Sequence, residues 1–247
     1  MTTRRSKRNT SESQQARNKR ISSPKLAGGV RATRVTPPQA AGMIVGSIPP
    51  YIGYRGANPL LHGTEIVATV GTSTTNTLAV EFACIPSSLP WGAGIAVNFA
   101  KWRWRSLRFI YIPQCSTTTS GGLTLGVEYD TSETSPSTQI QLAQSYRAVT
   151  SPYWGGSEGV PMLQSPGSHV QGAVCCVFDV ARVSKPWYAY KTSSAYGALT
   201  VDDRNIYSPG KALLITSGGP ASQVTGGYLY AQYMVELTEP VSSTLNA

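Results

Sequence analysis

The sequence predicts an all-β domain, a β-sandwich or jelly roll with one or two short helices in its loops, preceded by a disordered basic arm. Three observations carry this. Eight short segments with strand character follow one another from about residue 64, separated by turn clusters. No long amphipathic helical pattern competes with them. All of the net charge lies ahead of them, in residues 1–34.

The first segment, MTTRRSKRNTSESQQARNKRISSPKLAGGVRATR, carries Arg4, Arg5, Lys7, Arg8, Arg17, Lys19, Arg20, Lys25, Arg31 and Arg34 against one acid, Glu12. It therefore holds +9, the formal charge of the whole 247-residue chain, and residues 35–247 balance eleven basic residues with eleven acidic ones. The arm has no aromatic residue, and Ile21, Leu26 and Val30 follow no period. Burial cannot offset an ordering entropy of roughly 1–2 kcal/mol per residue, so residues 1–34 are expected to be disordered when free. Such a tether suits a polyphosphate partner, because counterion release makes its binding strong, salt-sensitive and indifferent to sequence. A solubilising tail or a nuclear import signal is the plainer reading of the same charges.

Residues 35–63 follow as a connector, with Pro37, Pro38, Pro49, Pro50 and Pro59 favouring extended chain. The third segment, 64–247, is the β domain. Its clearest strands are Gly122–Tyr129, with Leu123, Leu125, Val127 and Tyr129 on one face, and Tyr228–Leu237, with Leu229, Ala231, Tyr233, Val235 and Leu237 inward. Strict alternation marks an antiparallel sheet with one buried face. The others are Glu65–Val70, Thr77–Cys84, Arg103–Ile112, Ala173–Val180, Pro186–Lys191 and Lys211–Thr216. Short helices are expected over Pro90–Ala100, opened by Ser88 as N-cap, and over Thr138–Ser145.

Several chemistries are excluded or reduced to ordinary structure. There is no apolar run of about 18 residues for a membrane span, and no charged-then-apolar start of a secretory signal. Cys84, Cys115, Cys175 and Cys176 form no C-x-x-C pair and read as buried thiols. The G-x-S-x-G run at 155–159 lacks the strand and helix that an esterase elbow needs, and only His62 and His169 could serve as a base. No enzymatic role and no small-molecule substrate are expected.

Two stretches remain. Lys101 to Phe109 interleaves cations with tryptophans, as a single-stranded nucleic-acid stripe would. The plainer alternative is a strand sandwiched between a hydrophobic core and a polar face, with arginines stacked on tryptophans, where Arg103 and Arg105 would share a face and could still meet RNA. Asp130 and Glu133 follow a strand directly, three apart in a turn, where they can converge on one hard cation. Two carboxylates are too few to saturate it, and an ordinary polar turn is the plainer reading of the residues by themselves.

The run KWRWRSLRFIYIPQCSTTTSGGLTLGVEYDTSETSP, with Pro-Tyr-Trp soon after, resembles the shell domain of small icosahedral plant-virus coat proteins, most closely those of sobemoviruses. The likeness extends to the basic arm, the Pro-rich connector and a single eight-stranded jelly roll, without the protruding domain of tombusvirus coat proteins. It implies a capsid subunit of the virion, passing through the host cytoplasm, that packs with identical copies as a T=3 shell around single-stranded RNA. It also implies Ca2+ between neighbouring subunits. The family's D-x-x-D carboxylates fall on Asp130 and Glu133, a Glu replacing the second Asp. Its tyrosine carbonyl falls on Tyr190, with Tyr188 close behind, and its terminal ligands on Asn246 and the Ala247 carboxylate. The family often has two asparagines here, and this chain has one. A non-capsid RNA-binding β-sandwich or a carbohydrate-binding jelly roll would stay small, whereas a capsid forms megadalton particles.

Overall fold

The computed structural model describes residues 51–55, 58–155 and 174–246. The arm therefore lies outside the described residues. Two antiparallel sheets face one another. The first runs, in spatial order, β1 (Tyr51–Arg55), β2 (Asn58–Gly71), β10 (Thr225–Pro240), β4 (Phe99–Pro113) and β7 (Val174–Phe178), with the two-residue β8 (Tyr188–Ala189) also on β4. The second runs β3 (Thr77–Ala83), β9 (Lys211–Ser217), β5 (Gly122–Glu128) and β6 (Val149–Pro152). Setting aside β1 and β8, eight strands remain, four per sheet. Non-consecutive neighbours such as β2–β10 and β5–β9 give the jelly-roll order.

Eight is the expected number, but its membership differs by one. Pro186–Lys191 contributes only β8, because Pro186 has no N–H to donate and the chain leaves the sheet for a helix that starts at Ser193, limiting its ladder to Lys101 and Trp102. The missing strand is β6, an edge strand closed by Pro152, whose residues Val-Thr-Ser-Pro show no apolar alternation. Pairing also starts earlier than residue 64, since β1 and β2 form a hairpin with Tyr51 opposite His62.

The alternations in β5 and β10 place Leu123, Leu125, Val127, Leu229, Ala231, Tyr233, Val235 and Leu237 in one core. The outer face of the second sheet is covered too. Helix α2 (Gln139–Ala143), capped by the Thr138 hydroxyl on Gln141 N, lays Leu142 over Leu213 and Ile215. Strand β9 is consequently buried on both faces.

Helix α1 (Gly92–Ala96) starts later than expected, and Trp91, not Ser88, is its N-cap. Ser88 closes a 3-10 turn instead. The free amides of Trp91 and Gly92 are taken by the carboxylate of Glu65, which also accepts from the Tyr233 hydroxyl. Two further helices, α3 (Ser193–Gly197) and α4 (Val201–Tyr207), were not expected. Each opens on a threonine cap, Thr192 and Thr200. All four cysteines are free thiols, Cys84 and Cys176 buried but Cys115 and Cys175 only half-buried. Burial pushes the Cys176 thiol up to about 12.

Candidate functional site

Beyond Glu128, where β5 ends, the chain turns through Asp130. Its Oδ1 accepts from Ser132 N at 2.8 Å and Ser132 Oγ at 2.6 Å, an Asx-type turn. A third donor, Asn205 Nδ2, reaches it from α4. The Asn205 Oδ1 in turn accepts from Thr131 N and Oγ1 at 2.8 and 2.7 Å. The Asn205 contact first, then Ser132, holds the Asp130 carboxyl below the usual carboxylate range. It is thus an anchored anion with Oδ1 fully used and Oδ2 without a hydrogen-bond partner among the described residues.

Glu133 is held by its backbone, whose carbonyl accepts from Lys211 Nζ at 2.6 Å, while its side chain stays exposed. Buried Lys211 also binds Ser135 Oγ at 2.9 Å and lies 3.3 Å from Glu128 Oε2. Burial raises the Glu128 pKa despite Lys211, and Glu133 and Glu81 add to the rise.

The other two expected ligands share a different anchor. Tyr190 N donates to Ala100 O at 2.8 Å. Asn246 Nδ2 donates to Val97 O at 2.7 Å and Phe99 O at 3.0 Å. Both residues are thereby fastened to the start of β4, with the Asn246 amide nitrogen used. The Tyr190 ring is buried, which raises its pKa, so only its backbone oxygen could serve a cation. Tyr188 stacks on Trp102 at 5.4 Å between ring centres. Ala247 lies outside the described residues. Asp130 and Glu133 thus share one turn, and Tyr190 and Asn246 share one anchor at the start of β4, but no hydrogen bond or ion pair joins the two pairs among the described residues.

The donor set fits a hard cation: carboxylate, amide and carbonyl oxygens with no sulfur or imidazole. A complete shell would need both pairs, drawn from different copies. Neither Asn205 nor Lys211 was singled out in the sequence. Both lie more than 70 positions from the acidic turn; the local signal for Asn205 is the Thr200/Asp203 capping pair that starts α4, and Lys211 reads only as the first residue of β9.

The Trp/Arg stretch resolves toward the alternative. Trp102 and Trp104 point into the core, their indole N–H groups bonded to Ala189 O and Cys84 O. Arg103 and Arg105 share the outer face, as expected, and both bind Glu236. The ring under Arg103 is Trp187, 4.2 Å away, not one of the strand's own tryptophans. The G-x-S-x-G serine, the second histidine His169 and the ten arm cations lie outside the described residues.

The viral coat protein S-domain family model matches residues 31–243. The capsid protein of Tobacco necrosis virus (strain A) is 35% identical over 222 residues, covering 87% of this chain and 78% of that protein. The capsid protein of Cocksfoot mottle virus is 24% identical over 178 residues, covering 72% and 68%. Among solved structures, Tobacco necrosis virus aligns with a TM-score of 0.79 at 33% identity, covering 83% of this chain and 93% of that one. Cocksfoot mottle virus aligns with a TM-score of 0.67 at 22% identity, covering 74% and 96%.

Proposed function

Because this chain belongs to the viral coat protein S-domain family, and is a structural capsid subunit rather than an enzyme, we propose that it closes as a T=3 shell around single-stranded RNA. In this reading residues 1–34 bind the RNA and Ca2+ joins neighbouring subunits. The observation that carries the RNA assignment is the charge distribution, +9 in the arm against zero in residues 35–247. Neutral shells associate without net repulsion, while the arms offset phosphate inside.

The calcium assignment draws on the two half-sites. Asp130 Oδ2 and the Glu133 carboxylate form an anionic half, and the Tyr190 carbonyl and Asn246 Oδ1 a neutral half on another copy. A cation between them neutralises charge that would otherwise sit unbalanced at the seam. Asn205 and Ser132 already hold the Asp130 carboxylate, and Lys211 fixes the backbone of Glu133, whose exposed carboxylate is free to swing onto the cation.

The test is deletion of residues 1–34. The truncated chain should still fold, because every described strand lies beyond Pro50, but should fail to protect genome-length RNA from nuclease. Smaller or empty particles leave that result unchanged. Protection equal to that of the full chain overturns the arm as the RNA-binding element.

A further inference from the structure

Strand β4 carries a gap along one edge. β7 pairs with its residues 107–111 and β8 with Lys101 and Trp102, so neither strand covers residues 103–106. On the opposite edge the register with β10 slips at the same place. Trp104 faces Val235 and Ser106 faces Met234, leaving Arg105 as the extra residue of a bulge. Bulges re-aim the side chain they carry.

A cavity of about 220 Å³ occupies this gap. Arg103, Arg105 and Lys185 supply its charge, and Val180, Val183, Pro186 and Pro209 much of its apolar wall. The two arginines share a single carboxylate, Glu236, and Lys185 Nζ donates to the carbonyl of Ile206 at 3.3 Å and lies 6.0 Å from the Tyr188 ring, with no carboxylate partner among the described residues. The group is therefore doubly positive. Arg105 uses only Nε on Glu236, so its two Nη groups have no partner among the described residues. The Arg103 guanidinium carbon lies 4.2 Å from the centre of the Trp187 ring, a cation–ring contact.

We propose that this cavity is a second RNA contact, on the shell domain itself, binding one phosphate with its attached nucleotide. The free Arg105 Nη edge can clamp a phosphate in bidentate fashion, and Lys185 adds a point charge. The apolar wall can take the flat face of a base, as single-strand sites do. The volume lies below the roughly 300–1,000 Å³ of pockets for drug-sized ligands, consistent with one nucleotide unit. RNA is favoured over an acidic protein segment because residues 35–247 of a neighbouring copy carry no net charge to offer. The proposal rests on the reading that the shell packages RNA.

Ultraviolet cross-linking of RNA-containing particles made from the full chain, followed by peptide mapping, tests it. Nucleotide adducts are expected on segment 183–191, where Trp187 and Tyr188 are photoreactive, beside adducts on the arm. Lys185→Ala and Arg105→Ala should each lower the adduct on that segment by about tenfold, with the arm adducts unchanged. Lys185 makes one hydrogen bond, to the Ile206 carbonyl of α4, and a distant ring contact with Tyr188, so its variant separates binding from folding. Arm adducts without any on 183–191 overturn the proposal and leave packaging intact. A cross-link from 183–191 to an acidic peptide of another copy, in place of nucleotide, overturns it in favour of a subunit contact. No adduct anywhere on the chain overturns the proposal, and a full chain that yields only RNA-free particles overturns the packaging reading it rests on.

Discussion

Glu236→Gln removes one charge from the centre of the first sheet while keeping the shape of the side chain. The wild-type carboxylate is only 2% exposed and accepts from Arg103 Nε and Nη2, both at 3.1 Å, from Asn58 Nδ2 at 2.8 Å, and from Arg105 Nε. Burial alone would raise its pKa. The two arginines and Asn58 outweigh that and bring it from 4.5 to about 2. A shift of that size corresponds to about 3 kcal/mol of folding stability. The side chains of Arg103 and Arg105 are 28% and 26% exposed, so water takes up part of the charge left behind. The variant should therefore unfold roughly 6–12 °C lower than wild type at neutral pH. The pH dependence has a definite sign. A depressed carboxyl stabilises fully above its unfolded value of about 4.5 and loses that contribution as pH falls through about 2. The difference between wild type and variant should be largest at pH 6–7 and shrink steadily below pH 4.5. Urea unfolding of dissociated, RNA-free subunits across that range measures both. A loss under about 1 kcal/mol at pH 7, or a difference that does not shrink in acid, would refute the charge reading of this cluster.

The double variant Asp130→Asn, Glu133→Gln should give particles that swell or turn nuclease-sensitive without chelator, while the subunit unfolds as wild type does; normal particles with a wild-type chelator response place the metal elsewhere. Wild-type chelator sensitivity should persist into mild acid, because Asn205 and Ser132 keep Asp130 ionised below the usual range, and should fade only as that low value is approached. Asn205→Ala should let the Asp130 pKa rise and increase the calcium needed to protect particles by about tenfold or more, read by titrating nuclease resistance. Gly121→Ala should cost about 2 kcal/mol or more by denaturation, since Gly121 sits at φ +86° and an added Cβ would lie 2.4 Å from the backbone carbon of Gly218.

Where side chains alternate in a strand buried on one face, the sequence alone was enough: β5 and β10 occupy the predicted faces residue by residue. Legibility fell where a second layer intervened. Thr124 and Gly126 read as a solvent face, yet α2 covers that side of the sheet, and nothing within β5 reports Leu142. The candidate cation turn divided the same way. Asp130 and Glu133 were visible because they are close in sequence, whereas Asn205 and Lys211 reach them only through folding. Ser88 misled because a buried carboxylate 26 positions away from Trp91 supplies the cap that a serine would otherwise give. The Trp/Arg stretch was legible as two faces, but the bulge that sets Arg105 apart has no local signature.

The place of β10 also governs the order in which the molecule can be completed during synthesis. This strand forms its register with both β2 and β4, filling the space between them, yet it is translated after both. Thr72 and Val224, bonded at the mouth of the β2–β10 ladder, are 152 positions apart. A nascent chain stopped short of residue 225 holds β2 and β4 as two open edges, each able to pair with the wrong partner. Throughout that interval the ten arm cations have already emerged, so the growing chain can engage a polyanion well before its shell exists. Ribosome-bound intermediates should therefore aggregate through sheet edges unless that early engagement keeps them apart.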